Sequence, residues 1–379
     1  MTDERMHCRL KAFYLVRSDA RSIEARARAI AVEQSVEMPV AAIDDTFVLA
    51  EIVGQVEAIT EKQAGQFEVC IALAAETVGN DPGQLLNMLF GNSSLQDDVL
   101  LHDVVLPAVI EESFGGPGHG LEVMRRRVGA CARALTGSVL KPQGLPSRKL
   151  ADLAARFASG GIDYIKDDHG LADQAYSPFH ARIEAVMGAL RSVEASTGQH
   201  AHYVPSLSGD LDDMRRQIAH AAATGVDTVM VAPMIMGWSN FRRIVQENPG
   251  VAFIAHPSMA GAGRIAPPLL LGKLFRLLGA DAVVFPNHGG RFGYTPDTCR
   301  AIACEALRER EGLRPCVPVP AGGMSTARVA EMLGFYGADV MLLIGGALLE
   351  ARAHLTQATA AFVAKVHGYP YDRGKATTC

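Results

Sequence analysis

The segment Gly161-Ile-Asp163-Tyr-Ile-Lys166-Asp167-Asp168-His169 puts a lysine on a β-branched, strand-like run with two carboxylates directly after it. Side chains alternate along a strand, so Lys166 and Asp168 share one face while Asp163 and Asp167 share the other. On a surface, a lysine beside that much negative charge is a solvated ion pair. At the end of a buried parallel strand, the same grouping is more often a metal or catalytic site. A hard cation such as Mg²⁺ takes anionic oxygens, and an ammonium is no ligand. Lys166 can join such a site if its amine has reacted with CO₂, because the carbamate is an anionic oxygen donor. Lys141, further upstream, is then a candidate base or acid whose pKa burial and the metal's charge would lower. A metal that holds a ketose through its carbonyl and hydroxyl stabilises an enediolate as the proton leaves carbon.

These residues need a scaffold that converges strand ends. Beyond residue 115, apolar runs recur at 135–140, 162–165, 202–207, 228–234, 251–255, 282–285, 316–319 and 340–344. Helical patterns lie between them at 147–158, 178–197, 210–224, 239–247, 267–278, 296–310 and 326–336, with a last one at 348–366. Eight strands alternating with helices predict a (β/α)8 TIM barrel. Barrel active sites sit at the C-terminal ends of the strands, and the unusual residues gather there. Strand one ends in Lys141-Pro-Gln143, strand two in Lys166 to His169, and strand five in His256-Pro-Ser258. Strand six ends in Pro286-Asn-His-Gly-Gly-Arg291, strand seven in Ala321-Gly-Gly323, and strand eight in Gly345-Gly346. A lone His256 would be read as a satisfied core histidine; convergence on one rim favours a site. Glycine pairs after strands seven and eight let the backbone approach an oxyanion, the usual barrel site for a substrate phosphate. Arg291 adds a guanidinium on a glycine-rich loop that can close over the ligand.

The first part reads differently. It shows alternating runs at 10–16 and 46–53, a helical stretch at 22–35 and no repeat, an α+β pattern. Ser113-Phe-Gly-Gly-Pro-Gly-His-Gly120 reads as a linker. The expected domains are therefore 1–122, α+β, and 123–379, the barrel. At 379 residues, 49% hydrophobic and with a formal net charge of −5, the chain can bury a large core and shows no basic excess for nucleic acid. The N-terminus lacks the apolar core of a signal peptide, and the longest apolar stretch, 265–285, is broken by prolines and by Lys273 and Arg276. Seven scattered cysteines (Cys8, Cys70, Cys131, Cys299, Cys304, Cys316, Cys379) contain no CxxC, so free thiols in a cytoplasmic protein are expected. Gly261-Ala-Gly263 lacks the rest of a dinucleotide fingerprint.

Gly161-Ile-Asp-Tyr-Ile-Lys-Asp-Asp168 resembles the large-subunit motif of ribulose bisphosphate carboxylase (RuBisCO) that carries the carbamylated lysine and metal carboxylates. Gly116-Pro-Gly-His-Gly120, with Arg133 to Pro142, resembles that family's entry into barrel strand one. Phe90-Gly-Asn92 and Ala31-Val-Glu33-Gln-Ser35 resemble its N-terminal asparagine motif and the helix whose glutamate reaches the partner subunit. Pro318 to Gly323 and Gly345-Gly346 resemble its phosphate-binding strand ends. The resemblance implies a ferredoxin-like N-terminal domain and a homodimer with shared active sites, each completed by Glu33 and Asn92 of the other subunit.

The departures point away from carboxylation. Gln143 stands in place of a second lysine, Pro257 of the strand-five arginine, Ala260 of a second histidine, and Arg291 of the mobile-loop lysine. Ala321 stands in place of the strand-seven serine and His169 of the second metal carboxylate. The resemblance is thus to a non-carboxylating RuBisCO-like protein. It implies Lys166 as carbamate and Asp168 on Mg²⁺ or another divalent metal, and Lys141 shuttling the proton. His256 and Arg291 would contact substrate, and Gly322, Gly323, Gly345 and Gly346 would hold phosphate. His169 either ligates, which suits a transition metal better than Mg²⁺, or turns away. The expected reaction is isomerisation or enolisation of a singly phosphorylated ketose such as 5-methylthioribulose 1-phosphate, as in methylthioribose salvage. Decarboxylation of a 3-oxo sugar-acid phosphate is the alternative reaction. A stress-linked interaction protein without turnover is the alternative of another class, and a flavin-binding barrel a third.

Overall fold

The strand β1 (Arg9–Arg17) alternates Leu10, Ala12, Tyr14 and Val16 into the core with more exposed residues between them, the pattern of a sheet covered on one face. It belongs to the first of two compact units in the computed structural model, which describes residues 8–130 and 132–371. The N-terminal segment, Cys131 and Cys379, on which part of the sequence reading fell, lie outside the described residues. After β1 come a helix (Ile23–Glu33), the hairpin β2 (Gln55–Gln63) and β3 (Gln66–Ala74), a second helix (Pro82–Phe90) and β4 (Val99–Val105). The strands pair antiparallel in the order β2-β3-β1-β4, so this βαββαβ unit is ferredoxin-like.

The run at 46–53 is not a strand. It forms a π-helical turn, Val48–Ile52, started by Asp45, whose side chain accepts from the Val48 N–H at 3.0 Å. Phe47 and Leu49 stay exposed there, so the apolar alternation does not mark a buried face.

The second unit holds β5 (Leu135–Leu140), β6 (Tyr164–Asp167), β7 (His202–Val204), β8 (Thr228–Val231), β9 (Ala252–Ala255), β10 (Ala282–Pro286), β11 (Val317–Ala321) and β12 (Met341–Leu343). All pair parallel, in the runs β12-β5-β6-β7 and β8-β9-β10-β11. A bridge between Ser206 and Met230 joins β7 to β8, and β11 lies beside β12, closing the eight-stranded barrel. Leu135, Tyr164, Val204, Ile254, Val284 and Val319 pack together inside it. Alternate residues point inward, so the same parity carries Lys141, Lys166, Asp168 and His256 to the inner face above this core.

The division between the two units falls between Gly115 and Gly116, inside the segment expected as a linker. The helix Gly120–Arg127 closes the floor, with Leu121 and Met124 in the core. Buried Asp281 fastens it, accepting from the N–H groups of His119 (2.6 Å), Gly120 (2.7 Å) and Phe253 (2.8 Å). Gly120 is required: φ is +63° and a Cβ would meet the Pro315 carbonyl oxygen at 2.6 Å. Residues 237–239 and 259–270 group with the first unit. The helix expected over 267–278 is a π-helix, Pro268–Leu274, followed by the turn Phe275–Leu277. A Cβ on Gly272 would come within 2.7 Å of Glu305 and of the Ile302 carbonyl oxygen, which sets how closely the chain packs there. Among the described residues no disulfide joins the cysteines, and no helix is long and apolar enough to cross a membrane.

Candidate active site

Strand β6 divides its charges by parity. Outward, Asp167 is fully buried and accepts from Arg182 Nε (3.0 Å), Tyr203 Oη (2.7 Å) and the Ser206 N–H (3.2 Å). Burial pushes its carboxyl up, against the pull of the Arg182 guanidinium and the two other donors. Asp163 is held by both Arg133 Nη atoms at 2.7 Å and by the Thr136 N–H and hydroxyl. Both outward carboxylates are structural, and Asp167 is not available to a metal.

Inward, Lys166 is buried and donates to the Asp167 carbonyl at 2.8 Å. Burial lowers its ammonium to about 8, against the attraction of Asp168 and Asp167. Only a neutral amine attacks CO₂, so this environment favours carbamate formation. Lys141 Nζ stands 3.4 Å from Asp168 Oδ2. His169 Nδ1 lies 2.8 Å from Asp168 Oδ1, within ion-pair range but without the alignment of a hydrogen bond, which leaves that buried oxygen without a donor. Burial alone would raise the Asp168 carboxyl, yet His169, Lys141 and Lys166 together hold it well below the usual range. The His169 ring does not turn away: it stacks on His256.

His256 is partly buried. Burial, then the positive charge of Lys166 and His169, lowers its imidazolium to about 2, so the ring is neutral. The Ser258 N–H can only donate, and it reaches His256 Nδ1 at 3.2 Å, with Ser258 Oγ at 2.8 Å. The network therefore assigns the ring proton to Nε2 and makes it a hydrogen-bond donor. Sequence reasoning missed Ser258, although its position two residues after the histidine was the available signal.

The residues fit a divalent cation held with a carbamate. Asp168 Oδ1 is a buried carboxylate oxygen without a donor, beside a lysine of lowered pKa. Among the described residues no three His, Cys, Asp or Glu side chains are placed to hold a metal, so Asp168 needs another anionic donor. Lys166, as carbamate, would provide it.

Gly322 and Gly323 have φ of +80° and +89°, a backbone shape that excludes side chains. Arg291 reaches this turn through its backbone, its N–H donating to the Gly322 carbonyl at 3.4 Å, while its guanidinium lies 5.5 Å from the Phe292 ring centroid. A Cβ on Gly345 would run into Val139, two residues before Lys141, whereas Gly346 faces open space. Gln143 packs where a Cβ of residue 170 would lie. In the first unit, Asn92 Nδ2 donates to Glu33 Oε1 at 2.8 Å and to Glu37 Oε1 at 3.1 Å, which brings the two N-terminal candidates together.

The family of the ribulose bisphosphate carboxylase large chain, catalytic domain, matches residues 120–365. A 5-methylthioribulose-1-phosphate isomerase of Rhodospirillum rubrum is 60% identical over 361 residues, covering 95% of this chain and 96% of the relative. A 2,3-diketo-5-methylthiopentyl-1-phosphate enolase of Geobacillus thermodenitrificans is 32% identical over 298 residues, covering 76% and 72%. The crystal structure of a Rubisco-like protein from Rhodopseudomonas palustris superimposes with a TM-score of 0.90 at 52% identity, covering 96% of this chain and 99% of that one. With its two domains and its inward-facing lysines, the chain belongs to the RuBisCO large-chain family, as a non-carboxylating RuBisCO-like enzyme of the isomerase and enolase type.

Proposed function

We propose that the chain is an isomerase that moves a proton between carbons of 5-methylthioribulose 1-phosphate or a closely related ketose monophosphate. The observation that carries this reading is the 60% identity, over almost the full length of both chains, to the Rhodospirillum rubrum isomerase, against 32% to the enolase. The site's chemistry agrees with it. Lys141, partly exposed beside Asp168, removes the proton from the carbon next to the substrate carbonyl. The electron pair left behind becomes the enediolate, and His256 Nε2–H donates to one of its oxygens. A proton passes from the neighbouring hydroxyl oxygen to the former carbonyl oxygen and the carbon-derived proton returns to the former carbonyl carbon, so the product is an isomer with its keto group moved. When bound by carbamylated Lys166 and Asp168, a divalent cation such as Mg²⁺ supplies positive charge to the enediolate oxygens. The backbones of Gly322, Gly323, Gly345 and Gly346 accommodate the phosphate, and the Arg291 guanidinium adds a positive charge at the same rim. Glu33 and Asn92 complete the site of the other subunit in a homodimer.

The test is turnover in D₂O with Mg²⁺ and bicarbonate, followed by NMR. A keto isomer carrying deuterium on carbon supports the proposal. An enol product, or CO₂ released from a 3-oxo sugar-acid phosphate, replaces it with the enolase or decarboxylase reading. No deuterium entering any ketose phosphate, with no metal-dependent ligand binding, would defeat it.

A further inference from the structure

The loops that follow strands β5 and β6 are held in opposite ways. Among the described residues, no backbone hydrogen bond of a turn or loop involves residues 141–145. Lys141 has one charged neighbour, Asp168 Oδ2 at 3.4 Å, beyond the usual hydrogen-bond range. The loop after β6 is fastened throughout. The Gly170 carbonyl accepts from Gln174 Nε2 at 2.7 Å, and Gln174 Oε1 accepts from the Ala172 N–H at 2.8 Å. Fully buried Arg182 donates to the carbonyls of Ala172 (2.8 Å) and Ser177 (2.7 Å), and the Leu171 N–H returns to the Asp168 carbonyl at 2.9 Å. Gly170 is therefore a fixed point, and Gln143 reaches it from the loose side. A Cβ on Gly170 would land on Gln143 Nε2, with Gln143 Cδ at 2.6 Å and Oε1 at 3.2 Å as its next neighbours. Gly170 does not have positive φ, so its conformation does not demand glycine. The missing side chain is needed as space, and the Gln143 amide fills it. Gln143 is exposed and its amide makes no hydrogen bond among the described residues, so packing is what seats it.

We infer that Gln143 is a positioning residue for Lys141: seated on the bare Cα of Gly170, it braces the segment that carries the base against the rigid loop after β6. The inference rests on the proposed role of Lys141 in proton transfer. A base must stand close to the proton it removes, and misplacement by about 1 Å can cost about 10²-fold in rate. The attraction of Asp168 does not prevent this, because an ammonium is a point charge on a flexible stem and is drawn from any direction. Contact with an unmoving backbone does prevent it. The brace is steric, so it needs the length of the Gln143 side chain and not its hydrogen-bonding groups.

The test is a double-mutant cycle between residues 143 and 170 in the full-length protein, with 5-methylthioribulose 1-phosphate as substrate. It is read by steady-state kinetics, by deuterium exchange into substrate and by Mg²⁺ affinity. Gln143→Ala and Gly170→Ala should each lower kcat and the exchange rate about 10-fold, with KM and Mg²⁺ affinity within about 2-fold of wild type. The double variant should be no slower than Gln143→Ala, because the atoms nearest the added Cβ have gone. Gln143→Met, of similar length but without the amide, should keep kcat within about 3-fold of wild type. If Gly170→Ala does not fold, the contrast of Gln143→Ala with Gln143→Met decides the matter. Additive losses in the double variant, or a Gly170→Ala protein with native kcat, would overturn the inference. So would Gln143→Met with raised KM and native kcat, the mark of an amide that binds substrate. Exchange that survives in Lys141→Ala would remove the base assignment and this inference with it. Exchange lost in Lys141→Ala, beside a native Gly170→Ala, would sink the positioning alone.

Discussion

The imidazole rings of His169 and His256 lie face to face, with centroids 4.6 Å apart and planes 7° apart. One ring follows strand β6 and the other strand β9, so the stack ties two strand ends across the barrel mouth. It also sets His169 Nδ1 against Asp168 Oδ1 at 2.8 Å.

This placement makes His169 an orienter of Asp168. His169→Asn should weaken Mg²⁺ or Mn²⁺ binding about 10-fold, the usual cost of losing a partner to a metal ligand. A Mn²⁺-loaded sample should show no directly bound imidazole nitrogen by electron spin-echo spectroscopy. A strong ¹⁴N coupling that disappears in the variant would instead make His169 a ligand.

Lys141 is assigned the proton transfer. Lys141→Ala should slow incorporation of deuterium into substrate by about 10²–10⁴-fold while metal binding persists. Exchange that survives unchanged would remove Lys141 from the reaction.

The proposed sharing of sites between subunits has a simple complementation assay. Lys166→Met and Asn92→Ala proteins, each expected to be inactive or nearly so, are unfolded together and refolded as a mixture. Half of the dimers would pair the two variants, and one site of each such dimer would be intact. About a quarter of wild-type activity should return. No recovery from folded mixed dimers would place Asn92 in its own subunit's site or outside the machinery.

The barrel count was legible because parallel strands buried on both faces leave near-continuous apolar runs, and each of the eight runs overlaps a strand. The inner-face cluster was legible because alternation places Lys166 and Asp168 together and barrel topology converges the strand ends. The hairpin of β2 and β3 was not. Its β2 is largely exposed, so it carries no apolar alternation, while the run at 46–53 carries one without burying it. The fate of Asp167 was hidden for another reason. Arg182 and Tyr203 lie 15 and 36 residues away, on elements whose facing only the fold decides. The seating of Gln143 on Gly170 was out of reach for the same reason.

The buried pair of Asp167 and Arg182 yields a stability prediction. Both side chains are fully enclosed, so Arg182→Met leaves a carboxylate with two neutral donors and no counter-charge. A loss of about 3–5 kcal/mol in denaturant unfolding is expected. Asp167→Asn combined with Arg182→Met should recover part of it. A single variant within experimental error of wild type would show that the pair contributes nothing net.

Acid sensitivity should have a share at Asp227. Burial alone would raise this carboxyl, yet His202 Nδ1 at 3.1 Å and Arg127 Nε at 3.4 Å hold it down, at about 2. A depressed folded value means that its stabilisation is complete above the unfolded carboxyl range, near about 4, and fades as pH falls through about 2. The difference in melting temperature between wild type and Asp227→Asn should therefore be largest near neutral pH and shrink between about pH 4 and 2. A difference that stays constant across that window would remove Asp227 from the acid response.

The alternation of β6 has an evolutionary consequence. Asp163 and Asp167 bolt the strand to the elements outside it, while Lys166 and Asp168 are free for chemistry. Substitution at every second residue can therefore give the barrel a new reaction without loosening the scaffold. A one-residue insertion or deletion between them would exchange the two sets, pressing Lys166 against Arg182 and turning the structural carboxylates into the mouth. Related chains that have changed chemistry should differ at inward positions of such strands, and chains that change length should do so only in the loops.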